Sequence, residues 1–233
     1  KAQWVEYNSV NAEQGRLGTQ MAFGQPLEAD YQYDKADVVF ALDCDFLGLD
    51  SLTILPTKQF SARRKVSDPK TELSRLYVAE SNFSITGAMA DQRLRMKSSD
   101  GGAFALALAK ELNVTGTELK VLGGSNTTKT QKFIAALAKD LAAKKGKSIV
   151  VAGPRQPAEV HAIVAVINQA LGNTGQTVLY RKPVTDAAAS LDAVKQLAAE
   201  MNAGQVKTLF VLGGNPVYGM PAEAVRLGGA EFV

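Results

Sequence analysis

Short apolar runs alternate with helical stretches along the 233-residue chain, and this alternation constrains the fold more than any other feature. Most runs are continuously apolar, which is typical of strands buried on both faces of a parallel sheet. Strands are predicted at residues 3–7, 37–42, 75–79, 148–153, 177–180 and 207–213. Helices are predicted at residues 12–24, 102–112, 129–145, 157–172 and 190–204. The pattern predicts an α/β fold of stacked layers.

A domain boundary is predicted near residues 113–130, which are rich in Gly, Asn and Thr and carry no strong helical pattern. We therefore expect two layered αβα lobes with mainly parallel sheets. Residues 1–116 would form the first lobe, and residues 117–233 would form a second, Rossmann-like lobe. Lys1 is not an initiator methionine, so we expect the chain to be a piece of a longer protein.

The composition excludes several classes of function. The net charge of +3 comes from mixed basic and acidic residues, so the chain has no nucleic-acid footprint. One cysteine, Cys44, and one histidine, His161, exclude an intrachain disulfide, an iron–sulfur cluster held by this chain alone and a multi-histidine metal site. No apolar stretch is long enough to cross a membrane. His161 is interpreted as a surface or interface residue rather than a catalyst.

The residues that follow each predicted strand are the candidates for a site, because ligands bind at the carboxyl ends of strands in open α/β sheets. The last strand ends in Gly213, Gly214, Asn215 and Pro216. Such glycines allow the backbone to approach a phosphate, although an ordinary tight turn uses the same residues. Arg155 follows the fourth predicted strand and would either bind a carboxylate or phosphate or lie on a solvated turn.

Acidic residues follow two other predicted strands. Asp43, Cys44 and Asp45 come after residues 37–42, and Glu80 comes after residues 75–79. Two carboxylates would repel a phosphate, and two carboxylates with one thiol are a weak metal signal, so no metal site is predicted. A lone cysteine at the end of a buried strand favours packing over nucleophilic chemistry.

Four short segments, taken in chain order, resemble the molybdopterin oxidoreductase family of the dimethyl sulfoxide reductase type. They are TGAMAD (86–91), SSDGGAFALALA (98–109), LGNTG (171–175) and GGNP (213–216). Within that group, the chain more closely resembles the iron–sulfur subunit of alternative complex III, the bacterial quinol:electron acceptor oxidoreductase. That similarity is carried by ADVVFALDCDFLG (36–48), ARRK (62–65), SRLYVAESNFSITGAMADQRLRM (74–96) and MNAGQVKTLFVLGGNPVY (201–218).

The resemblance implies a function in respiratory electron transfer. The chain would be a molybdopterin-oxidoreductase-like scaffold without the molybdenum cofactor, with both predicted lobes belonging to that domain. A separate ferredoxin-like domain of the same subunit would carry the iron–sulfur clusters. The partners would be that domain and the membrane and cytochrome subunits, on the periplasmic side of the bacterial inner membrane. The chain itself would have no catalytic, cofactor-binding or metal-binding residue.

Departures from the cofactor-binding pattern agree with that implication. Asp43–Asp45 stands where the cofactor-binding relatives have Gly-x-Asn, and Glu80–Asn82 stands where they have Asp-Pro-Arg. Added acid and a missing arginine both disfavour a polyphosphate ligand. The turn at residues 213–216 stays close to the pattern and would be a structural remnant.

Two alternatives stay open from the sequence. In the first, the chain is a fragment of an active molybdopterin-binding oxidoreductase. Gly213, Gly214 and Asn215 would then contact the cofactor, and Arg155 would support its phosphates. The second is a generic nucleotide-binding α/β module, which ranks last because the chain has no Gly-x-Gly-x-x-Gly or Gly-Lys-Ser/Thr motif.

Overall fold

The structure is a computed structural model that describes residues 3–7, 13–51, 53–66, 72–117, 119–121, 123–124, 127–184 and 191–219. The chain divides into two compact units. The larger unit is Gln14–Pro183, and the smaller unit combines Lys1–Glu13 with Val184–Val233.

Helices and strands alternate in the larger unit. Its helices are α1 (Gln14–Phe23), α2 (Leu55–Ala62), α3 (Ile85–Ala88), α4 (Gly101–Glu111), α5 (Thr128–Ala143) and α6 (Ala158–Ala170). Its strands are β1 (Glu28–Tyr31), β2 (Val38–Leu42), β3 (Arg75–Glu80), β4 (Gln92–Arg95), β5 (Ser148–Ala152) and β6 (Val178–Arg181). The smaller unit contributes α7 (Leu191–Asn202) and α8 (Pro216–Gly219).

Four parallel strands form the central sheet, in the order β4-β3-β2-β5. Leu42 at the end of β2 is in register with Ala79 of β3 and Ala152 of β5, so the carboxyl ends of these strands meet at one edge. β2 and β5 are buried along their whole length. The predicted α/β class with a parallel sheet is confirmed. Separately, β1 and β6 form an antiparallel two-stranded ribbon.

Each face of the sheet has its own apolar core, because successive side chains of a strand point to opposite faces. On one face, Phe40 packs with residues of α4, α5 and α6 such as Leu137 and Ile163. On the other face, Val39 packs with Phe60 of α2 and with residues of the β1–β6 ribbon. The continuous apolar runs in the sequence are therefore explained by burial of the strands from both sides.

Side chains occupy the outer edge of β5. The Asn168 amide donates to the Val150 carbonyl at 2.7 Å and accepts from the Val150 N–H at 3.1 Å, as a neighbouring strand would. Asn173 accepts from the hydroxyl of Ser148 at 3.0 Å, and the Thr177 hydroxyl donates to the Ser148 carbonyl at 2.5 Å. These bonds satisfy backbone groups that an edge strand leaves unpaired, so the sheet ends at β5.

Two of the predicted strands are wrong. Residues 3–7 contain no strand, and residues 207–213 contain none apart from an isolated bridge residue at Thr208. The side chains of Phe210 and Leu212 are exposed, at 82% and 73%. A strand must pair with a neighbour along its length, and an apolar run does not show whether that neighbour exists. The described part of the smaller unit contains no strand that could pair with these residues.

The position at which the sequence analysis divides the chain, between residues 116 and 117, lies inside Gln14–Pro183. β5, which follows that position, pairs with β2, which precedes it. None of the described helices is long and apolar enough to cross a membrane.

Candidate functional site

Asp43 is the centre of a buried polar cluster at the carboxyl edge of the sheet. It follows β2 in the left-handed conformation, with φ of 49°. Its Oδ1 accepts from the backbone N–H and the hydroxyl of Ser81, both at 3.0 Å. Its Oδ2 accepts from the hydroxyl of Ser98 at 2.5 Å and from the Gln156 amide at 2.9 Å. This one carboxylate therefore joins the ends of β2, β3, β4 and β5.

The Asp43 carboxylate is held in its ionised form by these donors. Burial alone disfavours the charge and raises the pKa of the group. The hydrogen bonds from Ser98, Ser81 and Gln156 outweigh the burial and lower the pKa of Asp43 below its ordinary value. All four donors belong to the chain itself, so the negative charge already has its partners.

Asp45 anchors a second set of bonds at the same edge. Its Oδ1 accepts from the backbone N–H of Thr86 at 3.0 Å and from the Thr86 hydroxyl at 2.7 Å, and its Oδ2 accepts from the N–H of Leu49 at 3.0 Å. Burial opposes the charge here too, but the bonds from Leu49 and Thr86 lower the pKa of the carboxyl group. Asp45 thus fixes the loop after β2 to the short helix α3.

The arginine predicted as a possible phosphate ligand is paired within the chain. Arg155 donates two hydrogen bonds to Asp50, at 2.9 and 3.2 Å. The Asp50 side chain is only 2% exposed and also accepts from the N–H of Asp45 at 2.8 Å. Two parallel bonds between a guanidinium and a buried carboxylate are among the stronger pairings in proteins. Removing Arg155 from Asp50 would leave that carboxylate buried without its counter-charge.

Glu80, at the end of β3, is another buried carboxylate of this edge. It accepts from Arg93 of β4 at 2.6 Å and from the Ser84 hydroxyl at 2.5 Å, and it is 3% exposed. The Arg93 guanidinium also lies over the ring of Phe83, 4.6 Å from its centroid. The acidic residue at the end of β3 is thus part of a local ion pair.

Close packing fills the gap between the carboxyl ends of β2 and β5. This gap is the topological switch point of the sheet, since the chain proceeds from β2 to β3 on one side and later returns to β5 on the other. A Cβ atom on Gly153 would lie 2.7 Å from the carbonyl carbon of Asp43 and 3.2 Å from the Cα of Cys44. A Cβ atom on Gly101 would lie 3.0 Å from Cδ of Gln156. The backbone after β2 therefore lies close against Gly153. The side chains at this edge offer carboxylates rather than the free N–H groups and positive charge that a dinucleotide pyrophosphate needs, so this set of groups does not fit one.

Cys44 and His161 have surroundings that suppress their chemistry. Burial raises the pKa of the Cys44 thiol, and the carboxylates of Asp50 and Asp45 raise it further, so the reactive thiolate is disfavoured. His161 lies on α6 against Gly18 of α1, and burial lowers the pKa of its imidazole to about 4. Both side chains are therefore neutral near pH 7.

The turn at residues 213–216 caps a helix. Gly213 has a left-handed φ of 73°, and Pro216 is the first residue of α8. Asn215 Oδ1 accepts from the N–H of Tyr218 at 3.2 Å, which is the usual bond of an N-cap. Gly213, Gly214 and Asn215 belong to the smaller unit and Arg155 to the larger one, so these four predicted residues are not brought together within one compact unit.

Sequence reasoning missed an open groove beside the carboxyl end of β4, which we name the β4 groove. It has a volume of about 910 Å³. Arg95, Lys97 and Lys129 line it, and Ala103 and Ala107 of α4 contribute to its apolar wall. The basic residues of the segment RLRMK (93–97) were the available signal, but the partner residue on α5 is more than thirty positions away.

Neither the models of known protein families nor the curated proteins that were searched gave a match to this chain.

Proposed function

We propose that this chain is a cofactor-free scaffold portion of the iron–sulfur subunit of alternative complex III, with a molybdopterin-oxidoreductase-like fold. Its work would be to hold the cluster-bearing domain and the neighbouring subunits in register while electrons pass from quinol. The chain would contribute no catalytic residue. It would act on the periplasmic side of the bacterial inner membrane, as part of a membrane complex.

One observation supports this proposal most strongly. Asp43 lies at the switch point of the sheet, and both of its carboxylate oxygens accept hydrogen bonds from three other segments of the chain. A fold that binds a dinucleotide there needs free backbone N–H groups and positive charge. This chain instead has an ionised carboxylate whose hydrogen bonds join the four strand ends. The arrangement stabilises the sheet edge, which is what a scaffold requires.

The alternative function is that of an active molybdopterin-binding oxidoreductase fragment. It is favoured by the turn at Gly213, which keeps a left-handed glycine. Among the described residues, no atom lies within 4 Å of a Cβ placed on Gly213 or Gly214. Gly213, Gly214 and Asn215 would then contact the cofactor, as the resemblance implies. The Asn215 side chain, however, already caps α8, and Arg155 is paired with Asp50. Replacing Asn215 by alanine should lower the cofactor content of the parent protein under this alternative and leave it unchanged under the scaffold proposal.

The assignment to a respiratory complex is tested by purifying the parent protein from its native membranes. The scaffold proposal expects it to co-purify with haem-bearing and membrane-spanning subunits and with quinol-oxidising activity. Purification of the parent protein as a separate enzyme, with neither haem subunits nor quinol oxidation, would contradict the proposal.

A further inference from the structure

The outer edge of β4 differs from the outer edge of β5. β4 lies at the end of the sheet and pairs only with β3 among the described strands. The backbone N–H of Met96 donates to the Glu80 carbonyl at 3.0 Å. Alternate residues of a parallel strand direct their backbone groups toward the neighbouring strand, so the N–H and C=O groups of Arg93 and Arg95 point away from β3. No described residue forms a hydrogen bond to these outward groups of β4. On β5, by contrast, side chains pair with the outward backbone groups.

The β4 groove lies at this free edge and has an apolar wall. Leu94 and Phe104 are buried beneath it, at 2% and 4% exposure. Ala103 and Ala107 stand one helical turn apart on α4 and both line the groove. Their small side chains leave room for larger ones from outside. A strand added beside β4 would lay every second side chain against this wall.

Basic residues also line the groove. Arg95, Lys97 and Lys129 are among its lining residues, and none of them forms an ion pair within the described part of the chain. Asp100 is the one acid among the described lining residues, and it accepts from the N–H of Gly124 at 3.2 Å. The groove therefore favours a negatively charged occupant.

We infer that the β4 groove binds an extended acidic segment of another polypeptide, which pairs as a fifth strand with the free edge of β4. The backbone groups of Arg93 and Arg95 supply the strand pairing, the α4 wall receives apolar side chains, and Arg95, Lys97 and Lys129 receive acidic ones. Strand addition of this kind obtains affinity from the main chain and specificity from alternate side chains. The inference rests on the groove alone and does not depend on the proposed respiratory function.

The test uses the full chain and a fluorescein-labelled nonapeptide of alternating valine and glutamate, with a valine–lysine peptide of equal length for comparison. Fluorescence anisotropy gives the Kd. We expect the valine–lysine peptide to bind at least about tenfold more weakly. We expect Lys97→Glu and Arg95→Glu each to weaken binding of the acidic peptide about tenfold, because attraction becomes repulsion. Lys132→Glu is the matched control: it makes the same charge change at an exposed position of α5 outside the groove and should leave the Kd unchanged.

Backbone amide exchange separates strand addition from simple charge attraction. With the acidic peptide bound, exchange of the Arg93 and Arg95 amides should slow at least tenfold, since they gain partners. The inference is overturned if these amides stay unprotected, or if Lys132→Glu weakens binding as much as Lys97→Glu. It is also overturned if inorganic phosphate or free glutamate displaces the peptide at equal concentration, which would indicate a small-anion site. If sedimentation shows a dimer without peptide, and amide exchange of that dimer shows Arg93 and Arg95 protected, the groove would be assigned to a second copy of the chain instead.

Discussion

Replacing Asp43 by alanine should destabilise the larger unit strongly. The change removes the acceptor of four hydrogen bonds and leaves the donors of Ser81, Ser98 and Gln156 without their partner. Leaving a neutral donor without its acceptor costs about 1–3 kcal/mol where water cannot replace that acceptor, and we take about 3 kcal/mol for this set of donors. Alanine in the left-handed conformation that Asp43 adopts, with φ of 49°, adds about 1 kcal/mol. The two terms give an expected total loss of about 4 kcal/mol in the free energy of unfolding.

Asp43→Asn should cost less, about 1–2 kcal/mol, because asparagine tolerates the left-handed conformation and keeps one acceptor oxygen. Its new NH₂ group faces the Gln156 amide, whose Oε1 has no partner within the described residues and could accept after rotation of the amide. Asp34→Ala, at an exposed aspartate, is the control and should stay within about 0.5 kcal/mol of the wild type.

Guanidinium unfolding followed by far-ultraviolet circular dichroism measures these differences. Fluorescence is unsuitable because the only tryptophan, Trp4, belongs to the smaller unit. The folded-state pKa of Asp43 lies below the unfolded value of about 3.9, so its stabilisation is present above pH 4 and is lost as the pH falls through the folded pKa. The gap between wild type and Asp43→Asn should therefore narrow from pH 6 to pH 3. A loss below 1 kcal/mol for Asp43→Ala, or a gap that does not change with pH, would refute the reasoning.

Two further predictions concern the contact between α1 and α6. Gly18→Ala should destabilise by about 1–3 kcal/mol, because the added Cβ would lie 2.7 Å from the Ala158 carbonyl oxygen and 2.9 Å from the Ala162 nitrogen. On the same helix, the Cβ of Gly15→Ala would lie 4.0 Å from its nearest neighbour, Nδ1 of His161. This variant should be neutral or stabilising, and guanidinium unfolding measures both variants. His161 should titrate by NMR near pH 4 rather than 6.5, so the stability that its neutral, buried imidazole provides is complete above pH 6.5 and falls as the pH drops toward 4. Titration near 6.5 in the folded protein would show that the imidazole is not buried.

The central strands of the parallel sheet were predictable because strands buried on both faces consist of consecutive apolar residues. Residues 37–42 and 148–153 are continuous apolar runs, and they form β2 and β5. β1 and β4 were missed because they are four residues long and largely polar. Residues 207–213 have the same apolar pattern as β5 but form no strand, since strand pairing depends on a neighbour that the run itself does not specify.

The candidate site was predictable only in its sign of charge. The sequence places acidic residues after β2, and from these we inferred that the carboxyl edge of the sheet would repel a phosphate. It does not show that Asp43 gathers donors from Ser81, Ser98 and Gln156, which lie 38, 55 and 113 positions further along the chain. Nor does it show that Arg155 is held by Asp50, 105 positions away. Such contacts are set by the register of the sheet, which no local pattern records.

The measurement that tests the central claim most directly is the molybdenum and pterin content of the intact, purified parent protein. Elemental analysis gives molybdenum and iron per subunit, and fluorescence of the oxidised pterin gives the cofactor. The scaffold account predicts iron without stoichiometric molybdenum or pterin. Molybdenum and pterin at one or two equivalents per subunit would contradict it, because a polyphosphate cofactor would then be bound beside the carboxylates of Asp43 and Glu80.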